Sequence, residues 1–392
     1  MSLNSTPSSE RIHIGFFGRT NAGKSSLINA ITGQEISLVS EVRGTTTDPV
    51  KKSMELLPLG PVLFIDTPGL DDDSVLGQLR QNRTLDILTQ IHLAVIVVDA
   101  TEGVTDVEKS LEEQLKQAQI PHLFVYNKID LLENRFTDKN ILGVSAFTKE
   151  NIEALKENIA SIKMVTEEKK LVADLLEPGN HVLLVIPIDK AAPKGRLILP
   201  QQQTIRDILD AGCTLSICQV ENIKNTLEML DVTPKLVITD SAVFGKVKDL
   251  VPQEIKLTSF SILFARYKGD LEGNVKGAYM IEELKDEDKI LISEGCTHHR
   301  QCGDIGSQKL PNWILKHTGK NIQFEFTSGG DFPKDLSGYR MVIHCGACML
   351  NEKQMQERIR LAKTQGIPFT NYGIVIAYLN GILARSIEPI GL

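Results

Sequence analysis

The chain has 392 residues, a formal net charge of −7 at pH 7 and an apolar fraction of 42%. This length exceeds what one hydrophobic core usually serves, so we expect two or three domains of a soluble globular protein. The acidic balance argues against nucleic acid as a partner, because phosphate backbones are bound by basic surfaces. Residues 1–10 are polar and no apolar run approaches the length of a membrane helix, so the sequence predicts neither a signal peptide nor a membrane span.

A phosphate-binding loop follows the first predicted strand, Ile12–Phe17. The strand leads into Gly-Arg-Thr-Asn-Ala-Gly-Lys-Ser at 18–25, and a helix is predicted from there to about Thr32. Lys24 can reach the β and γ phosphates of a nucleotide, and the Ser25 hydroxyl can bind Mg²⁺. The residues predicted to contact phosphate are Gly18, Asn21, Ala22, Gly23, Lys24, Ser25 and Ser26.

A second predicted strand, residues 62–65, ends in Asp66-Thr67-Pro68-Gly69. The Asp66 carboxylate can hold the Mg²⁺ shell, and the Gly69 N–H can face the γ phosphate. We therefore place Lys24 and Gly69 among the catalytic residues.

A later motif selects the base. Predicted strands at 93–98 and 123–126 are followed by Asn127-Lys128-Ile129-Asp130, and a predicted strand at 141–144 is followed by Ser145-Ala146. The Asp130 carboxylate can accept from the ring N–H and the exocyclic amine of guanine, whereas adenine would leave a buried carboxylate facing an acceptor. The ordered motifs predict a P-loop GTPase fold that binds GTP or GDP through Asn127, Lys128, Asp130, Ser145 and Ala146.

With these motifs, residues 11–165 resemble the TrmE-Era-type GTPases, which belong to the translation-factor-like class. The resemblance implies that 44–48, Gly-Thr-Thr-Thr-Asp, form the first switch, with Thr46 a catalytic residue and Mg²⁺ ligand. Leu70 follows Gly69 where many small GTPases have a water-orienting glutamine. In the resembling family a K⁺ ion fills this role, and Asn21 matches the asparagine that helps to hold it. The alternative is that Asn21 only tolerates the backbone of the loop.

The middle of the chain begins after a charged stretch at 162–179 that ends in Pro178-Gly179. Strand-like runs at 181–188, 215–219 and 236–239 alternate with helix-like runs at 204–211 and 242–251. Alternation of this kind predicts a small, mostly parallel sheet. Since no catalytic motif stands out here, we expect a scaffolding or self-association role. Cys213 and Cys218 are interpreted as packing residues.

Four of the six cysteines lie between Cys296 and Cys348, which indicates a reducing cytoplasm and a metal site rather than disulfides. After a largely helical stretch at 259–284, predicted strands at 289–293 and 341–343 each lead into one of the cysteine segments. Ligands gather beyond the carboxyl ends of parallel strands, so Cys296, Cys345 and Cys348 are expected to converge. The residues alone are compatible with an iron–sulfur cluster and with zinc held by three cysteines and a histidine.

The pattern Cys296-x-His298, followed later by His344-Cys345-x-x-Cys348, resembles the cluster motif of the HydF family, GTPases that mature FeFe hydrogenase. The resemblance covers essentially the whole chain. It implies a 4Fe–4S cluster on the three cysteines with an exchangeable fourth position. It also implies a transient 2Fe precursor, two radical-SAM maturases and apo FeFe hydrogenase as partners, and a homodimer formed through the middle domain.

The fourth position stays open among several residues. His298 and His344 are ligands, hydrogen-bonding neighbours of the ligands, or neither, while Glu294 and Cys302 are further alternatives for the fourth ligand. We predict an α/β protein of three domains, each a mostly parallel sheet flanked by helices: a P-loop GTPase domain at 1–168, a middle domain at 169–260 and a cluster domain at 261–392. Competing functions are a ribosome- or tRNA-linked GTPase with structural zinc, and a redox enzyme regulated by GTP.

Overall fold

The computed structural model describes residues 6–33, 50–70, 87–134, 136, 141–162, 169–188, 197–295 and 304–392. The chain divides into two compact units, Met1–Glu167 and Glu168–Leu392. The three-domain division at 168 and 260 stays a prediction.

The described residues of the first unit form a five-stranded sheet in the order β2-β3-β1-β4-β5. Its strands are β1 Ile12–Phe17, β2 Lys51–Leu56, β3 Gly60–Asp66, β4 Leu93–Asp99 and β5 His122–Asn127. Strand β2 runs antiparallel to β3, and the other pairs are parallel. Strand β4 reads Leu-Ala-Val-Ile-Val-Val-Asp and is buried along its apolar length, as a central parallel strand covered on both faces should be.

Helices cover both faces of this sheet. They are α1 Lys24–Thr32, α2 Asp106–Gln117 and α3 Ile152–Ser161. Successive side chains of β1 point to opposite faces, so Phe16 packs in the core beneath α1 and α3 while Phe17 packs in the core beneath α2. Parallel strands with helices on both faces bring the loops after β1, β3 and β5 to one edge of the sheet.

The described residues of the second unit form two four-stranded, wholly parallel sheets, in the orders β7-β6-β8-β9 and β11-β10-β12-β13. The first contains β6 His181–Val185, β7 Thr214–Cys218, β8 Leu236–Thr239 and β9 Lys256–Ser259. The second contains β10 Lys289–Glu294, β11 Gln323–Ser328, β12 Met341–His344 and β13 Phe369–Asn371. The α-helices are α4 Leu199–Asp210, α5 Ile223–Met229, α6 Phe244–Leu250, α7 Phe260–Lys268, α8 Leu271–Tyr279, α9 Leu310–Thr318, α10 Glu352–Thr364, α11 Tyr372–Leu379 and α12 Leu383–Ile387.

Helix α11 is shared by the cores of both sheets. Ile374 and Ala377 pack in the core beside the β6–β9 sheet, whereas Val375 and Ile376 pack in the core beside the β10–β13 sheet. A helix that is apolar all round must be buried on every side. Helix α11 therefore joins the two sheets of the second unit through a shared apolar core.

The predicted α/β class with mostly parallel sheets is confirmed. The predicted strand at 141–144 is wrong in extent, because the structure has only an isolated bridge there, between Tyr126 and Gly143. The predicted strand at 181–188 ends earlier, at Val185. Strands β2, β9, β11 and β13 were not predicted from the sequence. Within the described part of the chain, no helix combines the length and the apolar character needed to cross a membrane.

Candidate functional site

The predicted phosphate loop connects β1 to α1. Its glycines adopt backbone conformations that disfavour side chains, with φ of 147° at Gly18 and 90° at Gly23. A Cβ at Gly18 would lie 2.2 Å from the Val97 carbonyl oxygen, and one at Gly23 would lie 2.2 Å from Asn127 Nδ2. Glycine is therefore required here by both φ and space.

Lys24 is the first residue of α1 and its side chain is buried. Its ammonium group donates to the carbonyl oxygens of Gly18 at 2.9 Å and Arg19 at 2.8 Å. The side chain thus lies across the loop whose N–H groups are expected to hold phosphate, and its contact with the β and γ phosphates stays a prediction.

Two of the three residues predicted to bind Mg²⁺ are in contact, one in the first turn of α1 and one at the end of β3. The Ser25 hydroxyl donates to Asp66 Oδ2 at 2.5 Å. Asp66 Oδ1 is buried and has no hydrogen-bond partner among the described residues. Burial raises the pKa of the Asp66 carboxyl, while Ser25, Lys24 and Lys52 act to lower it. A hydroxyl beside a desolvated carboxylate oxygen is a donor set that suits Mg²⁺.

Asn127 joins the phosphate loop to the base loop. Its Nδ2 donates to the Ala22 carbonyl at 3.0 Å, and its Oδ1 accepts from the Ala146 N–H at 3.0 Å. With 2% of its surface exposed, Asn127 is a structural tie between the phosphate loop and the base loop. Lys128 beside it donates to Asp99 Oδ2 at 2.6 Å.

Asp130 lies in a short 3₁₀ turn, Ile129–Leu131, directly after Lys128. Its Oδ1 is buried without a hydrogen-bond partner in the described ranges. A cavity of about 700 Å³ opens here, lined by Gly23, Ser26, Asn29, Ala30, Gly33, Asn127, Lys128, Asp130, Leu131, Ala146, Phe147 and Lys149. An unsatisfied acceptor in a cavity of this size fits a ligand that carries N–H donors.

Three further residues predicted for this site are described by the structure, and a fourth is not. Ser145 is fully buried, and its hydroxyl accepts from the Thr148 N–H, so Ser145 holds the base loop rather than facing the cavity. Gly69 lies against Thr20 of the phosphate loop, where a Cβ would come within 2.1 Å of the Thr20 hydroxyl. Asn21 is exposed with φ of 63°, a conformation that asparagine tolerates well. Thr46 lies outside the described residues.

The second predicted site lies at the carboxyl ends of β10 and β12, which are neighbours in register. Cys345 follows β12, and its Sγ accepts the N–H of Gly295 at 3.0 Å and that of Ala347 at 3.4 Å. Ala347 has φ of 53°, a conformation that is unusual for a residue with a Cβ. The loop therefore turns its N–H groups toward sulfur, an arrangement that stabilises a thiolate.

His344 and Glu294 are both buried beside this sulfur. His344 Nδ1 donates to the Cys345 carbonyl at 2.9 Å, while Nε2 lies 2.8 Å from Arg358 Nη1. Burial and the nearby Arg358 charge lower the pKa of His344 to about 3. The Tyr372 hydroxyl donates to Glu294 Oε1 at 3.4 Å.

Two buried cations flank the Cys345–Cys348 loop, and sequence reasoning missed both. Arg358 on α10 is 8% exposed, and Lys268 at the end of α7 is 2% exposed, with its ammonium donating to the Leu350 carbonyl at 3.1 Å. Burial lowers the pKa of Arg358 to about 10. Burial raises the pKa of the Cys348 thiol, although Lys268 opposes this. Lys268 lies far from the cysteines in sequence, and Arg358 lies on a helix with many other charged residues, so no local motif signals either of them.

Cys296, His298 and Cys302 lie outside the described residues. Across the ranges that the structure describes, no group of three or more His, Cys, Asp or Glu side chains could hold a metal ion. Cys213 and Cys218 are distant in sequence from this loop, and the Cys213 thiol donates to the Glu177 carbonyl at 3.1 Å.

Three family models match successive parts of the chain. Residues 13–128 match the model described as 50S ribosome-binding GTPase. Residues 171–269 match the hydrogen maturase F dimerization domain, and residues 272–389 match the hydrogen maturase F tetramerization domain. The two hydrogen maturase F models together cover more than half of the chain.

Curated relatives match over shorter lengths. GTPase Der of Helicobacter hepaticus is 32% identical over 179 residues, which is 41% of this chain and 37% of the relative. The tRNA modification GTPase MnmE of Chromobacterium violaceum is 39% identical over 123 residues, 31% of this chain and 27% of the relative. This chain thus spans well under half the length of these relatives. Among solved structures, Aquifex aeolicus Era bound to GDP and aluminium fluoride is 19% identical, with 56% of this chain and 98% of that chain covered and a TM-score of 0.33.

Proposed function

Since this chain belongs to the HydF family of hydrogenase maturation GTPases, we propose that it hydrolyses GTP and serves as an iron–sulfur scaffold for the di-iron subcluster of FeFe hydrogenase. The 2Fe precursor would be its cargo and apo hydrogenase the recipient. One observation carries the scaffold proposal: the Cys345 sulfur accepts the N–H of Gly295, the residue just before Cys296.

The nucleotide site supports GTP hydrolysis. Asp130 offers its unsatisfied acceptor to the N–H groups of guanine, and Lys24 lies across the loop that would hold the β and γ phosphates. Ser25 and Asp66 would hold Mg²⁺, which neutralises charge on the phosphates. Gly69, seated against the phosphate loop, can present its N–H to the γ phosphate. In this scheme Thr46 is a further Mg²⁺ ligand.

K⁺ activation is part of the proposal. Leu70 packs with the apolar core beneath α2, and an aliphatic chain cannot orient an attacking water. A monovalent cation held partly by Asn21 would supply the missing positive charge at the transferring phosphate. Turnover should therefore be faster in KCl than in NaCl, and Asn21→Ala should remove that difference. Equal turnover of the unmodified protein in the two salts would refute K⁺ activation.

We propose Cys296, Cys345 and Cys348 as the three cysteine ligands of a cluster at the second site. Sulfur atoms of a bound cluster accept backbone N–H bonds, and Cys345 already accepts two. A bound cluster would supply thiolate-held iron with one corner open to exchange. An open corner suits a carrier, because a site closed by four thiolates has no place for a second metal unit.

The experiment that tests the scaffold proposal is anaerobic purification followed by iron analysis and electron paramagnetic resonance (EPR) of the dithionite-reduced protein. The unmodified protein should show a reduced-cubane signal that Cys345→Ala, Cys348→Ala abolishes. A Cys213→Ala, Cys218→Ala protein is the matched control, because it also loses two thiols and should keep the signal. A colourless protein with stoichiometric zinc would overturn the proposal and favour a ribosome- or tRNA-linked GTPase with a structural zinc site.

Partners and assembly follow from the same proposal. Two radical-SAM maturases and apo FeFe hydrogenase would be its protein partners in the cytoplasm, and the chain would form homodimers through the middle domain.

Strand β7 is at an edge of its sheet and Ile217 on it is 47% exposed, which suits pairing with a second copy. Sedimentation analysis should show a dimer or larger assembly that Ile217→Lys weakens. An unchanged assembly would refute pairing through β7.

GTP hydrolysis would act as a timer for partner release. Nucleotide state would be sensed by Thr46 and by residues 66–73, part of which lies outside the described residues. In a pull-down with purified apo hydrogenase, GTP should change the dissociation rate for the unmodified protein but not for Lys24→Ala. If the dissociation rate of the unmodified protein from apo hydrogenase is the same with and without GTP, the proposal that hydrolysis times partner release is refuted.

A further inference from the structure

A buried arginine contacts the histidine that precedes the loop carrying Cys345 and Cys348. Arg358 Nη1 donates to His344 Nε2 at 2.8 Å, and Nη2 donates to the Gly329 carbonyl at 2.5 Å. Its guanidinium carbon lies 4.9 Å from the centre of the Phe332 ring. Among the described residues this guanidinium forms no ion pair with a carboxylate, and the Cys345 thiol acts to raise the pKa of Arg358.

The contact with Arg358 determines the tautomer of the His344 ring. An arginine can only donate, so Nε2 of His344 is the acceptor and the ring carries its hydrogen on Nδ1. That hydrogen is donated to the Cys345 carbonyl at 2.9 Å. The ring is fully buried and stacks on Phe369, with 5.9 Å between the ring centres and 24° between the planes. Both nitrogens are occupied, and neither has a lone pair available for a metal.

We infer that Arg358 is a positioning residue for the cluster site, which it serves through His344 by orienting Cys345 and by placing a buried positive charge close to the Cys345 segment. The inference rests on the proposed scaffold function. It assigns His344 to the support of Cys345 and excludes it as the fourth ligand in this arrangement.

The charge has a measurable consequence. Reduction adds an electron to a cluster that is already negative with its thiolates, and a nearby buried cation favours the reduced state. Removal of that cation should therefore make the reduction potential more negative. Because the region is buried, solvent screens the charge only weakly.

The experiment is an anaerobic redox titration followed by EPR, with iron content measured on every sample. Arg358→Met should disfavour reduction at least tenfold, which is about 59 mV for one electron. Arg358→Lys keeps the positive charge, so its reduction potential should lie close to that of the unmodified protein. Arg358→Gln lacks the charge, so its reduction potential should be shifted like that of Arg358→Met. Arg360→Met is the matched control on the same helix, because Arg360 is exposed and pairs with Glu357. It should leave the potential unchanged.

A second measurement tests His344 directly. Glutamine can place an amide oxygen near the position of Nε2, so His344→Gln should keep the acceptor for Arg358 and retain the cluster. The His344→Gln substitution should leave every nitrogen coupling in the pulsed EPR spectrum of the unmodified protein unchanged. Loss of such a coupling would make His344 a ligand and overturn the inference.

The outcomes separate the inference from the function on which it rests. An unmodified protein without a cluster overturns the scaffold proposal and this inference with it. A cluster whose potential is the same in the unmodified protein and in Arg358→Met overturns the inference alone. If Arg358→Met does not fold, the comparison of Arg358→Lys with Arg358→Gln decides the same question, and equal potentials in those two variants overturn it.

Discussion

Replacement of Asp130 by asparagine should exchange the base preferred by the nucleotide site. Asp130 Oδ1 is buried and has no hydrogen-bond partner among the described residues, so its natural partner is a ligand. Guanine presents two N–H donors to the two carboxylate oxygens. Asparagine has nearly the same shape, and it changes one acceptor into a donor without disturbing the turn Ile129–Leu131.

The magnitude follows from the hydrogen bonds that change. A hydrogen bond to a charged group contributes about 1.5–3 kcal/mol, and the Asp130→Asn protein loses one such bond to guanine and sets a donor against a donor. We expect GTP affinity to fall roughly 10²- to 10³-fold, given that about 1.4 kcal/mol is tenfold. Xanthine has a carbonyl where guanine has its amine, so it accepts from the new amide. Affinity for xanthosine triphosphate should rise by a comparable factor.

The assay is calorimetric titration of both nucleotides into the unmodified and variant proteins, with circular dichroism as a check on folding. Asp106→Asn is the matched control, because it removes the same charge from a fully exposed side chain. It should bind GTP as the unmodified protein does. A folded Asp130→Asn protein that loses both nucleotides equally, or that keeps its GTP affinity, would refute the assignment of Asp130 as the reader of the base.

Three further predictions concern stability and metal binding. Because burial raises the folded-state pKa of the Asp66 carboxyl, the folded state favours the protonated form, and stability falls as the pH rises from the unfolded-state pKa to the folded-state pKa. Asp66→Asn should therefore raise the melting temperature of the apo protein at pH 7, at about 2–4 °C per kcal/mol of stability gained. The same substitution should abolish Mg²⁺-dependent GTP binding. A lower melting temperature would contradict the sign. Gly23→Ala should destabilise more than Gly33→Ala in urea unfolding, since both have positive φ but only Gly23 meets a neighbouring atom, at 2.2 Å; equal losses would refute the clash. The Arg385 guanidinium donates to four carbonyl groups, so Arg385→Met should lower the unfolding free energy by about 1–3 kcal/mol, while the exposed Arg206→Met changes it by less than about 1 kcal/mol, and equal effects would count against this role.

Much of the GTP site could be predicted from sequence because its chemistry is local. The segment from β1 to α1 contains the loop glycines, Lys24 and Ser25 within a few residues, and the order of motifs implies the order of the strands that carry them. The confirmed mostly parallel α/β class follows from buried strands alternating with amphipathic helices. The short strand β13 escaped prediction because three residues, Phe369–Asn371, are too few for a periodic pattern.

The surroundings of the cysteine loop could not be predicted in the same way. Arg358 lies on a helix whose sequence contains many charges, and nothing local separates it from Arg360, which is exposed. His344 could be read from its motif as a candidate ligand, but its contact with Arg358 depends on how α10 packs against β12. Whether a buried polar group is a ligand or a support depends on its partners, and here those partners come from a separate element that packs against the strand.

The sequence by itself predicted a nucleotide site and the parallel α/β class, and it carried the resemblance to the family to which the chain belongs, since each rests on short stretches whose spacing has a direct physical meaning. Only the tertiary structure decided which charges lie buried beside Cys345 and Cys348 and which nitrogen atoms of His344 are occupied. It also showed that α11 belongs to the cores of both sheets of the second unit. The physical reason is that burial and partnering are properties of packed surfaces, which form between residues far apart in the chain.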